Sequence, residues 1–162
     1  MHPSTEFRFD TYSSYRAAIL EALALAQRRV AIFDFDLVEC GLESRETIAQ
    51  LERLCVSSPH EDALRILLAD ASHLVRNCPR LAAFVPRFAH RAAIRLADPD
   101  ARLHTRNFLI GDDAHVVTRL HRDHPRGRFN RDDTSAAACF ITQFETIWIK
   151  GEPLAIGVAL GI

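Results

Sequence analysis

The chain has 162 residues, 48% of them hydrophobic and 25% charged, with a formal net charge of −1. That is the size and composition of one ordinary domain able to bury a core, and the sequence reads as a single domain over 1–162. The balance excludes a disordered chain and a globally basic nucleic-acid binder. Every basic residue except Lys150 is an arginine. Cys40, Cys55, Cys78 and Cys139 are widely spaced, without a Cys-x-x-Cys pair, so reduced thiols, no structural metal and a cytoplasmic setting are expected. The first residues carry no secretory pattern, and the apolar tail from Pro153 to Ile162 is too short to span a bilayer.

Asp10 or Thr11 can cap a helix to about Arg28, with Tyr15, Ala18, Ile19, Ala22, Leu23 and Ala26 on one face. Val30 to Val38 follows as a β-prone run with Asp34 and Asp36 near its end, where ligands collect in open α/β sheets. Ser44 can cap a second helix from Arg45 to about Val56. Leu64 to Ala69 reads as a buried strand, and Ser72 can cap a helical stretch to about His90 that Pro79 and Pro86 should divide or kink. Ala92 to Ala97 is a third strand. Phe108-Leu109-Ile110 and Val116-Val117 flank Gly111-Asp112-Asp113-Ala114, the signal of a hairpin. His121 to Asp133 reads as a polar loop rich in arginine. The last helix, capped by Asp133, Thr134 or Ser135, aligns Phe140, Ile141, Phe144, Ile147 and Trp148. Strands separated by helices imply an α/β fold with a mostly parallel sheet, helices on both faces and an added antiparallel hairpin.

The polar entry His104 to Asn107, followed by Phe108-Leu109-Ile110-Gly111-Asp112, resembles the hairpin of the phospholipase D-like superfamily. There a His-x-Lys-x-x-x-x-Asp motif leads into a strand that turns at the aspartate. With Tyr15-Arg16, Ile32 to Leu37, Arg65 to Asp70 and Phe144-Glu145-x-x-Trp148, the chain looks like one phospholipase D-like half. More narrowly it resembles a bacterial group of such domains, some associated with GNAT-type acetyltransferases. The resemblance implies two histidines meeting across an interface, hence a homodimer. One attacks phosphorus, the other protonates the leaving group, and the lysines hold the phosphoryl oxygens.

The motif is not intact here. Counting from His104 places Arg106 at the lysine and Gly111 at the aspartate, so that Asp112 fits only if a one-residue bulge precedes Phe108. Counting back from Asp112 places Thr105 at the histidine and Asn107 at the lysine. The family's downstream Gly-Ser-x-x-Asn finds only Gly127-Arg128-Phe129-Asn130. The expectation is therefore a non-catalytic domain without a cofactor. It binds a phosphate-bearing ligand or nucleic acid through Asp36, His104, Arg106, Asn107, Asp112, Arg119, Arg128 and Asn130, or serves a partner such as an acetyltransferase. The alternative is an enzyme. One version is a diverged phosphodiesterase using His104, Arg106 and Asp112. The other is a magnesium-dependent phosphatase, because Phe33-Asp34-Phe35-Asp36 looks like the Asp-x-Asp strand end of haloacid dehalogenase-type enzymes. His121-x-x-His124 is a weak metal pair, and the cluster Arg119, Arg122, Arg126, Arg128 and Arg131 could steer a phosphate.

Overall fold

The computed structural model describes residues 5–104, 106–154 and 156. Most of the apolar tail lies outside them, but Ile156 is buried against the core. The strands are β1 (Thr5–Phe9), β2 (Val30–Asp34), β3 (Leu64–Leu68), β4 (Ala92–Leu96), β5 (Asn107–Gly111), β6 (His115–Arg119), β7 (Gly127–Arg131) and β8 (Glu152–Pro153). The helices are α1 (Tyr12–Leu25), α2 (Arg45–Ser57), α3 (Ser72–Asn77), α4 (Pro79–Arg87) and α5 (Thr134–Trp148). No described helix is long and apolar enough to cross a membrane.

All eight strands form one sheet, in the order β1-β7-β6-β5-β2-β3-β4-β8. Only β2–β3 and β3–β4 are parallel, while the other five pairings are antiparallel. The expected mostly parallel sheet is thus corrected to a mixed, mostly antiparallel one. Three strands escape a reading of the sequence, β1, β7 and the two-residue β8, and each lies at or next to a sheet edge. In β1 (Thr-Glu-Phe-Arg-Phe) and β7 (Gly-Arg-Phe-Asn-Arg) every second residue is charged or polar and faces solvent, so each resembles a polar loop. The segment after His121 is therefore part loop and part strand.

Helices cover both faces. Tyr15, Ile19 and Leu23 of α1 join Leu51 and Leu54 of α2 and Leu81 and Phe84 of α4 over Ile32, Leu109, Val117 and Phe129. On the other face Phe144, Ile147 and Trp148 of α5 pack on Phe33, Leu67, Phe108 and Val116. Arg65 ties that helix down, lying 5.0 Å over the Phe144 ring and pairing with Glu145 at 2.7 Å.

The caps follow local chemistry. Thr11, Ser44 and Asp133 each accept the third-residue N–H of their helices. Ser72 does not cap α3; Ala71 is the N-cap, and Asp70 takes the Ser72 N–H. Pro79 separates α3 from α4, and Pro86 sits in the last turn of α4. Helix α1 ends at Leu25, short of Arg28, because the next amides are claimed elsewhere. Gln27, Arg28 and Arg29 donate their N–H groups to the Asp112 carboxylate at 2.8, 2.8 and 3.1 Å. Cys40, Cys55 and Cys78 are buried free thiols, and burial pushes the Cys55 and Cys78 thiols up to about 11.

Asp112 and Asp113 both have positive φ, 52° and 57°, a conformation that aspartate tolerates in tight turns. Asp112→Ala is expected to cost roughly 2–3 kcal/mol, from a left-handed alanine and three released amides. Denaturant unfolding would read that loss, and Asp112→Asn, which keeps an acceptor and suits the turn, should recover more than half of it.

Candidate functional site

The registers of the central strands bring a set of polar residues to one end of the sheet. Asn107 of β5 lies opposite Arg119 of β6, and Arg119 opposite Gly127 of β7. Asp34 follows Phe33, whose partner is Phe108, so it falls beside Asn107. By the alternation of each strand, Asp34, Asn107 and Arg119 all point toward α1. Asp34, Asn107 and Arg119 are 1%, 2% and 2% exposed, so this polar row is part of the interior.

Its hydrogen bonds partly serve shape. Asp34 Oδ1 accepts the N–H groups of Asp36 at 3.1 Å and Leu37 at 2.7 Å, turning the chain sharply after β2. The turn holds Leu37 at a φ of 67°, a strained value for that residue. The Tyr15 hydroxyl donates to Asp34 Oδ2 at 3.5 Å, and Asn107 Oδ1 accepts the Phe35 N–H at 3.1 Å. The Arg119 guanidinium stacks over Tyr15 at 4.9 Å and over Tyr12 at 5.6 Å. Yet Arg119 Nε, Arg119 Nη1 and Asn107 Nδ2 are buried donors without a hydrogen-bond partner among the described residues. The surplus in the row is entirely N–H, which suits an acceptor such as an oxyanion, a carbonyl or water. Burial pushes the Asp34 carboxyl above its ordinary value, while the Leu37 N–H and the Arg119 charge pull it back. Burial, then the Asp34 charge, raise Tyr15 well above a free phenol.

Two open clefts flank the row at the same end of the sheet. One, of about 570 Å³, is bounded by Arg8, Asp10, Leu120, Arg126 and Arg128. Arg8 and Arg128 sit directly opposite each other on β1 and β7. Two like charges in that position repel, and Glu6, 3.2 Å from Arg8 Nε, offsets part of a cost that an anion between the two guanidiniums would relieve further. The other cleft, of about 720 Å³, includes Phe35, Ser72, Arg76 and Arg122, with Arg122 4.1 Å over the Phe35 ring.

The residues expected to form one site are divided among different places. His104 is exposed, its Nδ1 3.3 Å from Gln143 of α5 and its ring edge-on to Phe33, so it lies on the face opposite Asn107 and Arg119. Arg106 is exposed beside it. Strand β5 pairs without interruption from Asn107 to Gly111, so no bulge falls within that stretch. Counting back from Asp112 would put Asn107 at the lysine position. Thr105, at the histidine position, lies outside the described residues. Asp112 sits at the far end of β5, on the amides after α1. Asp36 is half-buried in the loop after β2, with Oδ1 on the Val38 N–H. Arg128 lines the smaller cleft, and the Asn130 amide reaches Glu6 at 3.4 Å.

The phosphatase reading would add Asp112 as a magnesium ligand to Asp34 and Asp36, and these carboxylates do not converge either. Asp34 ends β2, whereas Asp112 lies beyond its start, about 15 Å away at ~3.3 Å per strand residue. Among the described residues no group of three or more His, Cys, Asp or Glu side chains is placed to hold a metal ion, and the rings of His121 and His124 stand 5.5 Å apart. Sequence reasoning misses Arg8, Arg76 and the tyrosine lid over Arg119. Only the alternation Glu6-Phe7-Arg8-Phe9 could have signalled the first.

The family model described as Domain of unknown function (DUF7931) matches residues 11–155. The chain belongs to this family. No curated protein matches the sequence. Among solved structures, the chain is similar to Nuc, a phospholipase D family member from Salmonella typhimurium, at 12% identity and a TM-score of 0.66 over 94% of this chain and 99% of that one. It is also similar to NucT from Helicobacter pylori, at 12% identity and a TM-score of 0.62 over 94% and 100%. TrmBL2, an archaeal chromatin protein with a novel mode of DNA binding, is 19% identical with a TM-score of 0.68 over 92% of this chain. The chain spans about half of that protein's length, 54%. This DUF7931 domain thus has the fold of phospholipase D-family structures. At such identities the likeness concerns the fold alone.

Proposed function

We propose that this DUF7931 domain is a non-catalytic phospholipase D-like module that binds a phosphate-bearing ligand, with the phosphodiester backbone of nucleic acid as its main target. The observation that carries the reading is the Arg8–Arg128 pair beside Arg126, a basic cleft at the end of the sheet where Arg119 and Asn107 also keep unpaired donors. Arginine forks match phosphate oxygens in pairs, and an open cleft admits a chain rather than enclosing a small molecule. Catalysis is disfavoured in this reading because the motif is not intact in either register and His104 faces the other side of the sheet from Asn107 and Arg119. Losing the nucleophile of a covalent mechanism removes orders of magnitude in rate. The DNA-binding chromatin protein among the structural neighbours, of which the chain spans 54%, is compatible with a nucleic-acid ligand. An accessory role beside a partner such as an acetyltransferase is compatible with the same surface.

Fluorescence anisotropy with a labelled DNA oligonucleotide tests this. Binding should weaken with salt, and Arg126→Glu with Arg128→Glu should lower affinity about tenfold or more and flatten the salt slope by about 2. Salt-insensitive or absent binding would overturn the proposal. So would hydrolysis of bis-p-nitrophenyl phosphate that disappears in His104→Ala, which would reinstate the diesterase.

A further inference from the structure

The two edges of the sheet differ. At one end β8 is two residues long and contains Pro153, which offers a neighbouring strand almost nothing to pair with. At the other end β1 is a regular five-residue strand whose one partner among the described residues is β7, so among them its outer edge carries unpaired backbone groups. Phe7, at its centre, is 53% exposed. It lies on the α1 side, in a groove of about 380 Å³ with Phe9, Ala17, Ala18 and Phe129.

We propose that β1 pairs antiparallel with β1 of a second copy of this chain, about a two-fold axis through Phe7, joining the two sheets edge to edge. The charge pattern selects both the partner and the register. A two-fold axis normal to the sheet keeps the α1 faces on one side, so facing residues share parity and the axis must pass through a single residue. Centring on Glu6 sets Glu6 against its own copy, and centring on Arg8 sets two arginines together, both repulsive. Centring on Phe7 sets Glu6 against Arg8 of the partner subunit and Arg8 against Glu6 of the partner subunit.

The contacts already present in one copy extend into this arrangement. Glu6 accepts from Arg8 at 3.2 Å and from Asn130 at 3.4 Å, and its carboxylate keeps room for a second guanidinium. On the α1 face Phe129 and Phe7 are cross-strand neighbours, with the Arg131 guanidinium over both at 5.6 and 4.9 Å. The pairing continues that aromatic row across the axis into Phe7 of the partner subunit and covers the exposed ring. This inference shares Arg8 with the ligand reading, which places that residue in the cleft, but its test reads sedimentation and not ligand binding.

Sedimentation velocity of the 162-residue chain over a concentration series tests it, with circular dichroism to verify folding. The wild type should dimerise. Glu6→Arg and Arg8→Glu should each weaken the dimer at least tenfold, and the charge-swapped double variant Glu6→Arg/Arg8→Glu should restore it. Phe7→Lys should give monomer. A wild type monomeric at every concentration, a dimer indifferent to the single charge reversals, or a double variant no better than the single ones would each overturn the proposal.

Discussion

Arg119→Ala is expected to destabilise the fold by about 3–5 kcal/mol, the usual consequence of removing one partner from a buried charge network. The guanidinium fills the space under Tyr12 and Tyr15, and its charge offsets that of Asp34, which is 1% exposed. For a domain of this size the loss should lower Tm by roughly 10 °C. Arg119→Met, which keeps much of the volume, separates packing from charge through pH. Burial raises the Asp34 carboxyl, so the folded chain holds that proton more tightly than the unfolded one. Stability from the protonated form is therefore present below the ordinary carboxylate value of 3.8 and is lost as pH rises through the folded value. Removing Arg119 removes one of the influences that lower the folded value, so it climbs further and the deficit widens toward neutral pH. Arg119→Met should accordingly be milder near pH 4 than at pH 7, and Arg119→Met/Asp34→Asn should recover stability at pH 7. Equal deficits at both pH values would mean that Arg119 acts through packing alone.

Gly127→Ala should be comparably damaging, at about 3 kcal/mol or more, although it adds a single methyl. A Cβ there would stand 2.1 Å from the Thr118 carbonyl oxygen and 2.6 Å from the Phe9 ring. The oxygen is backbone in the neighbouring strand, so relief requires β6 and β7 to part, at a cost toward the upper end for overpacked sites. Differential scanning calorimetry should show Tm lowered by roughly 6–12 °C. Phe9→Leu in the same chain should relieve only the ring contact and return a minor part of the loss. A Gly127→Ala protein as stable as the wild type would mean that β7 is not paired at this distance. The sequence resemblance sets Gly127 against the first glycine of the family's downstream Gly-Ser-x-x-Asn, whereas its packing explains the missing side chain without any ligand.

The elements with strong periodicity are legible in the sequence. The stripe from Phe140 to Trp148, the caps Ser44 and Asp133, and the Gly111–Ala114 turn are local signals, and local chemistry decides them. The expectation of a parallel sheet fails because β5 crosses back to pair with β2, a choice made by packing between distant segments. The candidate site is legible as a set of residues and not as a place. Asn107 and Arg119 belong to the expected set, but a shift of one residue in β5 would turn Asn107 to the other face, and only the pairing with β2 and β6 settles that. His104 and Asp112 belong to it too, and they lie on the opposite face and at the opposite end of the sheet. Asp112 shows why: an aspartate in a turn serves a phosphate site or a helix end equally well, and here three backbone amides claim it.

The pairing of β1 with β7 has a consequence for the order in which the domain assembles. Thr5 meets Arg131 far along the chain, so this strand can dock only after β7 is in place, and docking then costs the ordering entropy of its own five residues. Only Phe9 of β1 is buried, so little apolar contact offsets that cost. Strand β1 is therefore the last piece to join and the first to leave, a detachable margin on a sheet whose other strands persist. Since Arg8 travels with it, every departure also dismantles one wall of the arginine cleft.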